Sequence, residues 1–330
     1  MHIRKSGLPS PNNLIINNTM KMFANKFLRT VTVFIALSVF AFSASAQNGP
    51  ELKEKSYPVG EFSALDISGD FEVTLTKGDY GVAVSVNPLL ADYVEVLVRT
   101  GELYIKYNEK EVPKEVKKEL KDKKITPVFR ARVSAPQLKG IELEDNVVLL
   151  AMNELSSSDF SLKLEDKAQV KNLSVVASSA LVIMNDKSQA SNLLLTVNND
   201  LELDVDGNSS LQATVDGKKL TVKAGGNAKA TVEATVDKVV IDADNKSNLT
   251  LSGKASSLVA KGNRNMNVDA RGLPVSEVEA KLAGGELCVK VDKTLDVELS
   301  GGAELYYDGK PDMKIRKVMK STLAPVSEKK

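Results

Sequence analysis

The chain has no tryptophan, one cysteine and one histidine. Cys288 has no partner within the chain, so no internal disulfide can hold the fold, and burial with backbone hydrogen bonding must do so. The histidine is His2, inside a stretch that reads as a removable leader. Without it the mature chain lacks the usual Ser-His-Asp and Cys-His nucleophiles and any histidine-based zinc site. No Phe, Tyr or Trp occurs between Phe160 and Tyr306. That stretch therefore offers no flat ring for sugar stacking, and a grip on a glycan there must rest on hydrogen bonds. No run after the leader approaches the ~20 apolar residues of a membrane-spanning helix.

Residues 1–46 carry the three parts of a bacterial secretory signal. Lys21, Lys26 and Arg29 form the basic region, Val31 to Phe42 the apolar region, and Ala44-Ser45-Ala46 the small-residue site, so cleavage is expected after Ala46. The first 19 residues precede a second methionine, which leaves Met1, Met20 and Met22 as alternative starts. No cysteine stands at the cleavage junction to take a lipid anchor. The expectation is an exported protein, not transmembrane in its mature form, destined for the periplasm, the cell surface or the medium. Five of the 44 basic residues and none of the 43 acidic ones precede residue 47, leaving 39 against 43, a net −4. A mildly acidic chain has no electrostatic footprint for nucleic acid.

What the sequence does have is a repeat. Nine polar corners interrupt alternating apolar stretches, from "IELEDNVVL" (141–149) to "VELSGGAEL" (297–305). Aligned on the residue before each corner, the repeats fall at Leu143, Leu164, Met184, Val205, Ala224, Ala243, Gly262, Leu282 and Leu299, a period close to 20. Two places earlier every residue is apolar: Ile141, Leu162, Val182, Leu203, Val222, Ile241, Ala260, Ala280 and Val297. Six places later every residue is again apolar, from Leu149 through Val268 to Cys288 and Leu305. The intervening positions are mostly polar, and period-two alternation means half-buried strands rather than helices.

A 20-residue repeat holds two or three short strands that cannot bury a face alone. Stacking successive repeats in parallel lets each coil hydrogen-bond to the next while the apolar columns line one core. The expected fold is all-β: a parallel β-helix of about nine coils, right-handed by the crossover rule, roughly 43 Å long at about 4.8 Å per strand. Leucine-rich repeats share a similar period but need a leucine-asparagine framework with helical outer segments, whereas the strand pattern here occupies most of each repeat.

The ends differ from the middle. Residues 47–137 hold most of the mature aromatic residues and are expected to form an N-terminal β cap. Within it, "EKEVPKEVKKELKDKKI" spaces Val112, Val116 and Leu120 four apart, the narrow stripe of a short helix with Pro113 tolerable in its first turn. Its lysines suggest an interaction arm, against the plainer reading of a solvated helix or mobile loop. Residues 138–309 form the β-helix repeats, and 310–330 are expected to close the last coil and then fray.

An exported chain with "LDISGDFEVTLTKGD" near its start, "VSAPQLKGIEL" before the first repeat, stacked Gly-rich corners and a closing "VELSGGAELYYDGKPDMKI" resembles the auto-transporter adhesin head (GIN) domain family of bacterial exported β-helical proteins. The resemblance runs from about Phe62 to Ile315. It implies a β-helical protein of the cell envelope or medium with an adhesin-like role, and it supplies no catalytic residues. Ser68-Gly69, Ser252-Gly253 and Ser300-Gly301 are similar to the family's corners, while Glu-Asp-Asn, Glu-Asp-Lys and Asn-Asp-Lys in the central ones depart from them.

The sharpest candidate site is the column Asp145, Asp166 and Asp186, one above another on adjacent coils. Spacings of about 4.8 and 9.6 Å bracket the carboxylate separations of glycosidases, and such a ladder of oxygens also suits Ca²⁺. Against this, the column continues as Gly207, Gly226, Asn245, Arg264, Gly284 and Gly301, which is turn chemistry, and Lys167 and Lys187 stand beside the acids. Asn146, Asn208, Asn227 and Asn265, one place later, read as an interrupted asparagine stack. Cys288, in an apolar column, reads as a small buried hydrophobe rather than a reactive thiol. Tyr306 and Tyr307 are candidates for a sugar platform, with one of the two expected to point inward.

The sequence thus supports a non-enzymatic binding or structural module that presents rigid rows of polar side chains to a glycan or an envelope protein, with no cofactor and no metal. The alternative is a polysaccharide lyase or hydrolase working through Asp145, Asp166 and Asp186. Self-association through the terminal coils is a third possibility, and the oligomeric state is open.

Overall fold

The structure, a computed structural model, describes residues 51–329; the leader and its cleavage site lie outside the described residues. The nine corners fall on successive turns of one parallel β-solenoid, so about nine turns span residues 140–305. Ile141, Leu162, Val182, Leu203, Val222, Ile241, Ala260, Ala280 and Val297 pair in one unbroken register. Each is at most 2% exposed. A fully buried leucine or valine contributes roughly 1.5–3 kcal/mol relative to exposure, so this column and its counterpart across the core supply the stability that disulfides do not.

The second column departs from the sequence alignment at one point. Val268 pairs with Leu287, and Leu287 with Leu305, so the inward position belongs to Leu287 and not to Cys288. The cause is the Gly284-Gly285 corner. Both glycines have positive φ, 120° and 75°, and they turn the chain in one residue fewer than the other corners use. A β-carbon on Gly285 would lie 2.6 Å from the Met266 carbonyl oxygen, so only glycine fits this tight passage.

The outward faces carry ion pairs from turn to turn: Lys163 with Glu142 at 2.7 Å, Lys223 with Glu202 at 2.6 Å and Lys281 with Glu298 at 3.2 Å. All are partly exposed, so each is worth ~0–1 kcal/mol, and their main effect is to disfavour slipped registers. At the corners, Ser188 and Ser209 are buried and share a hydrogen bond of 3.2 Å, which satisfies hydroxyls facing the core.

The solenoid starts earlier than residue 138. Ala64–Ser68 pairs in parallel with Gly140–Leu143, and Phe71–Lys77 with Val148–Ala151, so residues 64–77 form a layer of their own. On their other side lie Glu102–Tyr107 and Phe129–Ala135, again parallel. The segment first in sequence is therefore sandwiched between two that follow it. Sequence periodicity could not show this, because the chain leaves the solenoid between Lys77 and Glu102 and returns.

Three pairings at this end are antiparallel. Val94–Arg99 pairs with Glu102–Tyr107, Gly81–Val86 with Phe129–Ala135, and Lys53–Tyr57 with Gly81–Val86. The helix Lys114–Asp122 forms after Pro113, and Val112 and Leu120 are buried on the core while Val116 is partly so. Phe71, Phe129 and Tyr107 stack with ring centroids 4.3–5.4 Å apart and fill the wide end of the core.

The other end does not fray. Asp312–Val318 pairs in parallel with Glu286–Ser300, and Thr322–Pro325 with Glu304–Asp308, adding a further layer beyond residue 309. No helix among the described residues is long and apolar enough to cross a membrane.

Candidate functional site

Asp145, Asp166 and Asp186 lie on adjacent turns with φ of 62°, 57° and 64°, in the left-handed region. The column continues left-handed through Gly207, Gly226, Asn245, Arg264 and Gly301. Aspartate and asparagine enter this region more easily than most residues, which explains their use here. The turned backbone then hydrogen-bonds between layers: Lys167 N donates to Asp145 O at 2.9 Å, Lys187 N to Asp166 O at 2.7 Å and Asn208 N to Asp186 O at 2.5 Å. These three carboxylates therefore mark the points at which the polypeptide bends and at which successive turns are stitched together.

Their side chains are exposed and line a shallow groove of about 400 Å³ with Asn146, Lys167, Lys187, Gly207 and Asn208. Lys167 and Lys187 stand in the column next to the three aspartates, each one residue after Asp166 and Asp186. The asparagine stack is partial: Asn227 donates to Asn208 at 3.0 Å, whereas Asn146 donates to Asp70 at 2.6 Å, in the layer that precedes it in space. A second asparagine pair, Asn192 to Asn172 at 2.8 Å, sits at another left-handed corner that the alignment did not single out.

Tyr306 and Tyr307 are not an open platform. Tyr306 is 9% exposed, its hydroxyl donates to Glu304 at 2.9 Å, and Lys329 lies 5.5 Å from its ring centroid. Tyr307 is half-buried and packs against the core, the inward member of the pair. Cys288, turned outward by the register slip, is nevertheless 1% exposed, with Lys329 Nζ at 3.5 Å and Glu286 Oε1 at 3.6 Å from its sulfur. Burial first, and then the Glu286 charge, push its thiol up, so it carries little thiolate.

Two features went unread in the sequence. Glu142, Glu144 and Glu165 bring carboxylate oxygens within 4.8 Å of one another. Lys163 sits among them, 2.7 Å from Glu142 and 3.1 Å from Glu165, so an ammonium ion already fills the cation's role there, and those two hydrogen bonds hold its pKa well above the usual lysine range. Burial, then the nearby Asp66 and Glu142 charges, push Glu144 up. Asp66 arrives through the sandwiched layer, but the three glutamates stand on two successive turns, Glu142 beside Lys163 and Glu144, two residues further on, beside Glu165, so the aligned corners carried the signal for this cluster.

The second feature is a groove of about 710 Å³ along the solenoid axis. Its walls include Asp159, Ser179, Asp200 and Lys219 in one row and Ser161, Leu181, Glu202 and Thr221 in the next, so it crosses four turns. The groove follows from bulges: pairing skips between Ala177 and Ala180 and between Val197 and Asp200. An available signal was the uneven period, since Met184 and Val205 are 21 residues apart where Leu164 and Met184 are 20. Chemically the groove offers three carboxylates and two lysines, Lys139 and Lys219, as hydrogen-bond partners in two adjacent rows, beside the partly exposed Leu181.

A family profile described as "Putative auto-transporter adhesin, head GIN domain" matches residues 61–213 and 180–311. Among solved structures, the chain is similar to a putative adhesin from Parabacteroides merdae (17% identity, 84% of this chain and 97% of that one, TM-score 0.43). It is also similar to a putative lipid binding protein from Parabacteroides distasonis (15% identity, 84% and 98%, TM-score 0.44). A putative adhesin from Bacteroides fragilis is a third (15% identity, 84% and 98%, TM-score 0.33). No curated protein matches the chain.

Proposed function

Since the chain belongs to the auto-transporter adhesin head (GIN) domain family, we propose that it is an exported, adhesin-like module of the cell envelope that holds an extended glycan without transforming it. The observation that carries this reading is the groove crossing four turns, because a polymer strand laid along the axis meets a further polar side chain of the same column, Asp159, Ser179, Asp200 and then Lys219, at every ~4.8 Å step. Asp159, Asp200 and Glu202 accept hydrogen bonds from sugar hydroxyls, and Lys219 donates. Many individually weak contacts repeated along a rigid support give affinity without a deep pocket. An envelope protein presenting an extended segment is the other outcome open to the same groove.

A glycan array probed with the chain from Gln47 onward tests this. Binding to at least one extended glycan, weakened about tenfold or more in an Asp200→Asn/Glu202→Gln variant, supports the reading. Absence of binding, or binding indifferent to those substitutions, overturns it. Shortening of a bound glycan over time, lost in Asp166→Asn, would establish the hydrolase or lyase instead.

A further inference from the structure

The two ends of the solenoid are finished differently. At the N-terminal end the two edge strands, Lys53–Tyr57 and Val94–Arg99, carry charged residues and no large exposed apolar side chain, the usual guard against edge pairing. At the C-terminal end Asp312–Val318 pairs on one side only, with Glu286–Ser300. Met313 and Ile315 continue the inward column of Leu295 and Val297, and Val318 that of Leu299. Those three inner residues are fully buried, but Met313, Ile315 and Val318 are 39%, 58% and 41% exposed, and Met319 is 50% exposed. They are core residues lacking a next layer. The lysines that ordinarily shield such an edge are partly withdrawn from it: Lys314 lies 3.1 Å from Asp296, and Arg316, the extra residue of a bulge, donates two hydrogen bonds to the same carboxylate.

We propose that this strand is a homodimer interface, in which Asp312–Val318 pairs antiparallel with the same strand of a second copy about a two-fold axis at Lys314. The register follows from the sequence "DMKIRKV". A two-fold at Lys314 sets Met313 of each copy opposite Ile315 of the other, and Asp312 opposite Arg316. Over Asp312–Arg316 apolar thus meets apolar and acid meets base, on the faces that alternation assigns them, while Lys317 and Val318 run on past the paired stretch, opposite Pro311 and Lys310. Asp312 has no ion-pair partner within its own chain among the described residues, so it is available to Arg316 of the other copy. The one like-charged pair, Lys314 against itself, is eased from each side by Asp296, the carboxylate that each Lys314 shares with Arg316. A second copy also supplies the missing backbone partners of the edge, and an isologous contact closes at two copies instead of growing into a fibre. Moving the axis to Ile315 would oppose Lys314 to Arg316 and Met313 to Lys317, and moving it to Met313 would oppose Arg316 to Lys310 and leave Ile315 facing Pro311, so charge and apolar matching together favour Lys314.

The test uses the chain from Gln47 onward in light scattering coupled to size exclusion. The expected mass is twice that of one chain at high concentration, and Ile315→Lys, which changes an exposed side chain and leaves the fold intact by circular dichroism, raises the dissociation constant at least about tenfold. Lys314→Cys tests the register: on the axis its α-carbons approach to about 4.5–5.5 Å, within disulfide range, so mild oxidation links two chains, while Asp308→Cys does not link them. A monomer at every concentration, or a dimer that survives Ile315→Lys and is not linked through Lys314→Cys, overturns the proposal. The groove lies on other turns, so glycan binding is unaffected by Ile315→Lys.

Discussion

Cys288 stacks on Asp269 of the neighbouring turn, facing away from the core while Leu287 takes the inward place over Val268. It is buried all the same, because Glu286, Tyr306 and Lys329 close over it. The expected outcome is a native thiol that reacts with a disulfide reagent at neutral pH roughly a hundredfold more slowly than in the unfolded chain. Lys329→Ala should speed the native reaction several-fold by uncovering the sulfur. Rapid labelling of the unaltered protein would contradict the arrangement.

Glu144 supplies a pH prediction. Its folded pKa is raised, chiefly by burial, so the carboxylate is less welcome in the folded protein than in the unfolded one. Stability therefore falls as pH rises from the unfolded value, about 4.3, through the raised folded value. Glu144→Gln keeps the shape and removes the charge. Its Tm should exceed that of the unaltered protein at pH 7 by a degree or more and match it below pH ~4, as read by thermal melts across that range.

The opposite sign applies to Asp296, held well below the usual carboxylate range by the Arg316 guanidinium, with Lys314 adding to the effect. Its contribution is present at neutral pH and is lost as pH falls from about 3.9 through the depressed folded value. Replacing Arg316 with Gln should lower Tm by a few degrees at pH 7 and flatten the fall in Tm between pH 4 and 2. Parallel curves for the two proteins would dissociate the pair from acid stability.

At the corners, backbone conformation decides what is tolerated. Asp166 has φ 57°, so Asp166→Gly and Asp166→Asn should leave stability within about 0.5 kcal/mol, while Asp166→Val should cost ~1–2 kcal/mol because a β-branched residue resists the left-handed region. Chemical denaturation with urea distinguishes these. If Asp166→Asn proved as damaging as Asp166→Val, the side-chain charge and not the bend would matter.

Gly226 adds a steric limit to the same column. A β-carbon there would lie 2.7 Å from the Gly207 carbonyl oxygen, so Gly226→Ala should destabilise by more than 1 kcal/mol despite alanine's small size. Gly302 also has positive φ but nothing within 4 Å of such an atom. Gly302→Ala should therefore show only the milder conformational cost in the same urea series.

Much of the fold was legible because periodicity of two within each strand and of about 20 between turns leaves few other ways to bury Ile141, Leu162 and their successors. What the repeat could not reveal were departures from it. The place of Cys288 depended on one residue missing at Gly284-Gly285. The axial groove depended on one residue gained before Leu201. The Glu142, Glu144 and Glu165 cluster, by contrast, follows the regular register of two successive turns, and only its neighbour Asp66 depended on a layer inserted out of sequence order. The Asp145, Asp166 and Asp186 column was visible at once, and its left-handed φ values supply the physical reason for acids there. The C-terminal layer was missed because Met313, Ile315 and Val318 continue the apolar columns after the corner pattern has stopped.

The layer at residues 64–77 also fixes a timetable. Both of its edges stay unpaired until Glu102–Tyr107, Phe129–Ala135 and then Gly140–Ala151 arrive, so a chain emerging N-terminus first cannot lock its earliest strands until about residue 151 is free. From that point each new turn docks on a finished template with only one loop of chain to close. Assembly therefore has a long initial lag followed by zipper-like growth, and a truncation just short of residue 140 strands the molecule with its first layer exposed.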